Sequence, residues 1–508
     1  MRDLNLVVVV DYGSQYTQLI ARRIRELGYY SIVVTPEERV NPDKISAVIL
    51  SGGPHSVFEK DAPQLPSWWQ KYDGKVLGVC YGMQLICHAY GGIVKPGIQG
   101  EYGKTEINVI GKDPLFWGLP DSFTVWMSHG DEVASLPGTF DLIAKTNTGM
   151  VAAATDYRRF WLVQFHPEVR HTVYGLEILG NFLARICGLS PDWSLEDFLH
   201  RKVEVLREML KGKKVIAAFS GGVDSSTAAM IVHKAIGSDL VSIFVDHGLL
   251  RKGEEEEVPA VFRDLLGMNL VVVDSKKRFL EKLEGVADPE EKRKIIGEEF
   301  IRVFEEEAKK CEAEFLVQGT IYSDVIESSA SGKYTNRIKS HHNVGGLPEH
   351  MNLNLVEPLR ELFKDEVRRL GELMGIPRHV IWRHPFPGPG LAVRVLGEIT
   401  AERLRILKEV DHIFLEVLRE TGWYEKTWQA FAVLLPVRSV GVRGDKRNYG
   451  YVVALRAVDS VEAMTADWTR LPSDVLDEAA RRILNQVPEV SRVVFDVTSK
   501  PPGTIEWE

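Results

Sequence analysis

Five consecutive apolar residues, Leu6-Val7-Val8-Val9-Val10, run straight into Asp11-Tyr12-Gly13. A short apolar run closed by a turn signal reads as a strand buried on both faces, so a parallel strand is expected at residues 7–10. Helical spacing follows over residues 15–27, and another apolar run at 47–50 ends in Ser51-Gly52-Gly53-Pro54. Lys75-Val76-Leu77 leads into Gly78-Val79-Cys80-Tyr81-Gly82, and a helix is expected at about 173–186, stopped by Gly188 and Pro191. Alternating strand and helix signals with short apolar strands predict an open parallel sheet with helices on both faces, occupying residues 1–188.

The same rhythm resumes after Ser190-Pro191-Asp192 with a helix, then strands at 214–219, 241–245, 270–273 and 315–318. A loop at 220–226 is expected to open a helix at 227–235. The run Glu254-Glu255-Glu256-Glu257 reads as a solvated helix start. Near His384 the pattern breaks, because Pro385-Phe386-Pro387-Gly388-Pro389-Gly390 is incompatible with regular structure. Beyond it a helix is predicted at 401–420, strands at 430–437 and 451–457, a helix at 474–486 and a strand at 493–498. The expected fold class is therefore α/β: two open, mostly parallel α/β domains at 1–188 and 189–384, then a small α+β domain at 385–508.

Composition narrows the classes of function. The chain has 508 residues, 44% hydrophobic and 26% charged, with a formal net charge of −9. That acidic balance argues against nucleic acid as a main partner, though not against a local basic pocket for a phosphorylated small molecule. Four cysteines form no Cys-x-x-Cys pair, so neither a disulfide framework nor a zinc site is expected. No window has the length of a membrane span, and the N-terminal apolar stretch is too short for a secretion signal. No membrane partner and a cytoplasmic, reducing location are expected.

Candidate chemistry begins at Cys80. A strand that turns sharply into a helix at a cysteine flanked by glycines is a nucleophile elbow with sulfur in place of oxygen. Downstream, Gln164-Phe165-His166-Pro167-Glu168 places a histidine at a strand end with a carboxylate two positions on. Cys80, His166 and Glu168 then stand as nucleophile, base and orienter, the set required for hydrolysis or transfer of an amide acyl group. Cys87, Cys187 and Cys311 lack this context and read as packing.

The second constellation is Ser220-Gly221-Gly222-Val223-Asp224-Ser225-Ser226. No Gly-Lys-Ser/Thr follows, so it is not a Walker loop. Its glycines allow close backbone approach, its hydroxyls can donate to phosphate oxygens, and Asp224 is a candidate Mg²⁺ ligand on a pyrophosphate. The loop resembles that of the ATP pyrophosphatases, which cut ATP between the α and β phosphates and adenylylate an oxygen of the acceptor.

The first block resembles the class I glutamine amidotransferases. That likeness implies an oxyanion hole from the backbone N–H groups of Gly53 and Tyr81, with Ser128-His129-Gly130-Asp131 bordering a glutamine pocket. Taken whole, the chain resembles the glutamine-hydrolysing GMP synthase family. The segments that carry this include Val245-Asp246-His247-Gly248-Leu249-Leu250-Arg251, Gln318-Gly319-Thr320, Ser340-His341-His342-Asn343-Val344-Gly345-Gly346-Leu347-Pro348 and the tail Ser499-Lys500-Pro501-Pro502-Gly503-Thr504-Ile505-Glu506-Trp507-Glu508.

The resemblance implies conversion of XMP to GMP through an adenylyl-XMP intermediate, with ATP, Mg²⁺ and glutamine (or ammonium) and no tightly bound organic cofactor. Carried over, the loop residues bind ATP with Lys364, and Arg293, Gln429, Lys500 and Glu506 contact XMP. It further implies a homodimer formed through the third block, and a dry passage for ammonia between the two sites. His341-His342 reads as part of a nucleotide-covering loop rather than a metal site. Ser323 stands where the family usually has proline and Arg170 where it commonly has threonine; neither touches a proposed catalytic group. A related ligase with another acceptor would share the ATP loop, but not this order of domains or this tail. A tRNA-thiolating enzyme would need a sulfur-relay cysteine and a basic surface.

Overall fold

The apolar runs of the first block become adjacent strands of one sheet. The computed structural model describes residues 4–325, 353–460 and 465–508; the 340–348 segment with His341-His342 lies outside the described residues. Contacts divide the chain into two compact units, Met1–Phe198 and Leu199–Glu508.

In the first unit, β1 (Leu6–Val10), β2 (Tyr30–Val34), β3 (Ile45–Leu50), β4 (Val76–Val79), β5 (Ile93–Val109), β6 (Ser122–Ser135), β7 (Asp141–Thr146), β8 (Val151–Thr155) and β9 (Phe160–Val163) form one sheet. Their order is β2-β1-β3-β4-β9-β8-β7-β5-β6. The first five are parallel, with Val8 opposite Ile32 and Val48, and Gly78 opposite Leu162. Val7 to Val10 are fully buried, as a strand covered on both faces requires. The other four strands pair antiparallel, an extension the sequence reading did not anticipate. Helices Thr17–Glu26 and Gly175–Asn181, the latter continued by a π turn at Phe182–Ile186, fall where the 3.6 periodicity put them. The parallel half matters most for function, because β3, β4 and β9 lie side by side and end on one edge.

The second unit holds two sheets. Strands β10 (Val215–Ala218), β11 (Leu240–Asp246), β12 (Leu270–Asp274), β13 (Phe315–Val317) and β14 (Asn354–Val356) are all parallel, in the order β12-β11-β10-β13-β14. The order reverses between β10 and β13, and ligands of such sheets bind in the crevice at that point. The helix after β10 spans Val223–Ile236, four residues earlier than expected, with Gly222 at its N-cap. Four of the seven residues of the expected loop, Val223 to Ser226, are therefore the first helical turn.

Strands β15 (Gln429–Arg443), β16 (Lys446–Ser460), β17 (Ala466–Trp468) and β18 (Val490–Asp496) make the last sheet, with β18 parallel to β16 and the other pairs antiparallel. Helix Ala401–Glu420, capped by the Thr400 hydroxyl accepting from Arg403 N–H at 3.2 Å, buries Leu404, Leu407, Phe414 and Leu418. One apolar core runs through Ile216, Phe279, Leu391, Phe414, Leu455 and Ile483, so it is shared by elements of 189–384 and 385–508.

The acidic run needs correction. Glu254 does start a helix, Glu254–Pro259, but it is buried and sits between Arg251 and Arg383. A carboxylate flanked by two guanidinium groups is tolerated inside where an unpaired one is not. No helix among the described residues is long and apolar enough to cross a membrane.

Candidate active site

The first centre is built at the carboxyl ends of β3, β4 and β9. Cys80 follows β4 and caps helix Tyr81–Ala89 with φ +50° and ψ −106°, a left-handed conformation rare for a non-glycine residue. Its N–H donates to Val163 O of β9 at 2.8 Å, and Gly82 N–H donates to Ser51 O at the end of β3 at 3.0 Å. The elbow is thus pinned to both neighbouring strands. A Cβ on Gly53 would lie 2.5 Å from the carbonyl oxygen of Tyr12, so only glycine lets this segment pass so close.

His166 and Glu168 meet as the motif implied. His166 Nδ1 lies 2.7 Å from Glu168 Oε1 and both residues are buried; a Cβ on Gly52 would lie 2.9 Å from His166 Cε1 and 3.5 Å from Cys80 Cβ, so the thiol and the ring are neighbours. With Nδ1 taken by the carboxylate, Nε2 is the nitrogen that serves the thiol. Burial alone would push the imidazolium down, but the Glu168 charge, with Cys80, outweighs it and raises the proton affinity of His166 well above its ordinary value. That suits a group that takes a proton from a thiol. Tyr16 packs edge-on against the ring at 5.2 Å. Burial pushes Cys87 and Cys187 up to about 12 and also raises Cys311, leaving those thiols inert.

Sequence reasoning missed several supports. Thr172 accepts from Trp126 N–H at 3.0 Å and donates to His166 O at 2.6 Å, fixing the turn that carries the base. Cys80 Sγ contacts Ser128 O at 3.6 Å, while Gln84 donates to Asp131 O at 2.9 Å and Ser56 to Asp131 Oδ2 at 2.6 Å. The Ser128–Asp131 stretch thus lies beside Cys80. His129 itself is buried, which lowers its proton affinity.

The second centre lies at the β10/β13 reversal. Ser220 and Ser225 hydroxyls pair at 2.9 Å, Gly222 N–H donates to Ser220 Oγ at 3.3 Å, and Gly221 has φ +73°. Val223, Asp224, Ser225 and Ser226 form the first helical turn; Ser226 N–H already donates to Gly222 O at 3.0 Å, while the N–H groups of Val223, Asp224 and Ser225 have no intrahelical acceptor and favour an anion. A Cβ on Gly319, just after β13, would lie 3.0 Å from Asp224 C, so the loops after both strands touch. Asp224 Oδ2 pairs with Lys364 Nζ at 2.5 Å, and Oδ1 is buried with no partner among the described residues. Arg368, one turn beyond Lys364 and stacked 4.9 Å over Trp382, was not anticipated. Burial lowers its proton affinity against the pull of Asp224 and Asp365. The described residues contain no group of three or more His, Cys, Asp or Glu placed to hold a metal.

Of the four residues matched to XMP, two come together. Gln429 Nε2 donates to Glu506 Oε1 at 2.8 Å and to Pro385 O at 3.2 Å. Lys500 pairs its backbone with Ala466 where the tail begins. Arg293 pairs with Glu290 one turn back; its neighbour Lys292 is buried and holds Glu508 of the tail at 2.5 Å.

Comparison with known proteins draws these centres together. Residues 8–186 match the family described as glutamine amidotransferase class-I, and residues 416–507 the GMP synthase C terminal domain. A GMP synthase [glutamine-hydrolyzing] of Thermotoga sp. (strain RQ2) is 65% identical over 503 residues, covering 99% of this chain and 100% of that one. The chain belongs to the glutamine-hydrolysing GMP synthase family. Another member, from Petrotoga mobilis, is 56% identical over 504 residues, covering 99% of each chain. Among solved structures, a glutamine amidotransferase of Thermotoga maritima is 18% identical, covers 36% of this chain and 99% of its own, and has a TM-score of 0.31. In this family member the Cys80 elbow lies in the first unit and the loop at 220–226 in the second.

Proposed function

We propose that the chain converts XMP to GMP, drawing nitrogen from glutamine or ammonium and cleaving ATP to AMP and pyrophosphate. The observation that carries this reading is the identity to GMP synthases across 99% of the chain, spanning the thiol elbow and the phosphate loop alike.

In the glutaminase half, Cys80 Sγ attacks the side-chain amide carbon of glutamine while His166 takes the thiol proton. Glu168 keeps the imidazole oriented and stabilises its charge. The N–H groups of Gly53 and Tyr81 receive the oxyanion, each worth on the order of 3 kcal/mol. Collapse expels ammonia with the proton returned by His166, leaving a thioester. Water, deprotonated by the same imidazole, releases glutamate and restores the thiol.

In the synthetase half, the C2 oxygen of XMP attacks the α-phosphorus of ATP and pyrophosphate leaves. An oxo group is a poor leaving group, whereas AMP is a good one. Ammonia then attacks C2, AMP departs and loss of a proton gives GMP. Residues 220–226 bind the phosphates, Lys364 offsets charge on the leaving pyrophosphate, and Arg293 and Lys500 suit the nucleotide phosphate. Asp224 would fit a Mg²⁺ ion carried by ATP, since Oδ1 is buried with no partner among the described residues and a hard cation takes carboxylate, phosphate and water oxygens. Such an ion, when bound, neutralises polyphosphate charge.

The dimer belongs to the same reading. Beyond Arg438 the β15–β16 hairpin exposes Val440, Val442 and Tyr449, an apolar face that a second copy would cover. Four free cysteines suit the reducing cytoplasm, and the charge of −9 disfavours nucleic acid. Incubation with XMP, Mg-ATP and ammonium tests the reading. GMP, AMP and pyrophosphate are expected in equal amounts; AMP without GMP would make XMP the wrong acceptor.

A further inference from the structure

Arg394 is completely buried, yet it stands in the apolar run Leu391-Ala392-Val393-Arg394-Val395. Its guanidinium is held between two rings, 4.1 Å from the Phe431 centroid and 5.1 Å from that of Phe386. So clamped, it meets Glu506 as a fork: Nε donates to Oε2 at 3.0 Å and Nη2 to Oε1 at 2.8 Å. Oε1 also receives Gln429 Nε2 at 2.8 Å, whose other hydrogen goes to Pro385 O at 3.2 Å.

The donor count leaves a defined remainder. From the described residues Oε1 accepts two hydrogen bonds and Oε2 one, so among them a single acceptor position on Oε2 is uncommitted. Both Gln429 N–H groups are spent, which leaves only the oxygen of that amide for a ligand. Glu506 is part-exposed and its partner Arg394 is not. The acceptors left for a ligand are Glu506 Oε2 and the Gln429 amide oxygen, with Arg394 Nη1 buried behind them and without a partner among the described residues, so the part-exposed Glu506 edge suits a ligand that presents hydrogen-bond donors, as an oxidised purine ring and a ribose do.

The tail that carries Glu506 is held by two further buried cations. Arg456 donates to Thr498 O, Thr504 O and Ile505 O at 2.8–2.9 Å, and Lys292 reaches Glu508 at 2.5 Å. Of these three cations, Arg394 is the one that contacts the Glu506 carboxylate, which it shares with Gln429.

We propose that Arg394 is a positioning residue for the acceptor nucleotide, aiming the Glu506 carboxylate and, through it, the Gln429 amide. This rests on the reading of XMP as the acceptor. Arg394 never touches the nucleotide, so its effect passes through Glu506.

A double-mutant cycle in the full-length protein tests this, with Arg394→Met, Glu506→Gln and the pair, assayed on ammonium for the KM of XMP and of ATP. Arg394→Met is expected to raise the KM for XMP about tenfold, the value of a charged hydrogen bond, and to leave that for ATP within twofold. In the Glu506→Gln background the same change is expected to have little further effect. Arg394→Lys, which keeps the charge but not the fork, should recover part of the loss. Additive effects, or a lower kcat with both KM values unchanged, would overturn the proposal and mark Arg394 as a packing residue. If Arg394→Met fails to fold, the cycle with Arg394→Lys decides on the same criterion. Wild-type protein that releases AMP from ATP without aminating XMP would overturn the acceptor reading instead.

Discussion

Asp224, on the first helical turn after β10, and Lys364, 140 residues away at the start of helix Lys364–Leu373, form an ion pair of 2.5 Å. Both side chains keep substantial solvent exposure, so the pair is held by no more than about 1 kcal/mol and is easily exchanged for phosphate and metal partners. Asp224→Ala is expected to abolish AMP formation with either nitrogen source while glutamine hydrolysis persists. Lys364→Met should slow AMP formation by about 10²-fold, as loss of one charge-stabilising donor does. Pyrophosphate release reads both, and normal AMP production by Asp224→Ala would refute the assignment of this loop to ATP.

Gly53 offers a test confined to the other centre. An alanine Cβ there would sit 2.5 Å from Tyr12 O and 3.1 Å from Tyr12 Cβ, pushing the segment and its N–H away from Cys80. Gly53→Ala should lower glutamine-dependent synthesis by about 10²-fold or more and leave ammonium-dependent synthesis intact. Equal losses with the two nitrogen sources would remove Gly53 from the oxyanion site.

Acid should destabilise the second unit in a defined window. Burial lowers His247 to about 4, despite Asp246 and Glu254 nearby and with Lys408 adding to the effect. Burial also lowers His384 to about 4; Arg251 and Arg419 push the same way, while its bonds to Tyr424 and Ala430 oppose. Unfolded histidines titrate near 6.5, so the unfolded state binds more protons between pH 6.5 and 4, and stability falls as pH drops through that range. Each residue contributes roughly 3 kcal/mol at neutral pH. Thermal unfolding at pH 7.5 and 5.0 should show a smaller acid loss for His384→Gln than for wild type. Equal losses would mean that His384 is protonated in the folded protein.

Particular residues explain what was legible. Val7 to Val10 announced a parallel strand because burial on both faces leaves no polar positions. Cys80, His166 and Glu168 were legible because a strained elbow and a His-x-Glu turn are local. The antiparallel strands β5 to β8 escaped: β6 alternates buried Phe123, Val125, Met127 and His129 with more exposed neighbours, a period of two read only as a motif around Ser128. Glu254 looked solvated because its partner Arg383 lies 129 residues away. Arg394 went unnoticed although a lone cation in an apolar run is itself a signal of a buried partner. The loop at 220–226 concealed a helix start because Gly222 caps without a side chain.

The central claim is that one chain divides its labour between a thiol that frees ammonia and a nucleotide site that uses it. Cys80→Ala, assayed for GMP with glutamine and then with ammonium, tests this most directly. The account predicts no synthesis from glutamine and near wild-type synthesis from ammonium. Loss of both, or retention of both, would contradict it.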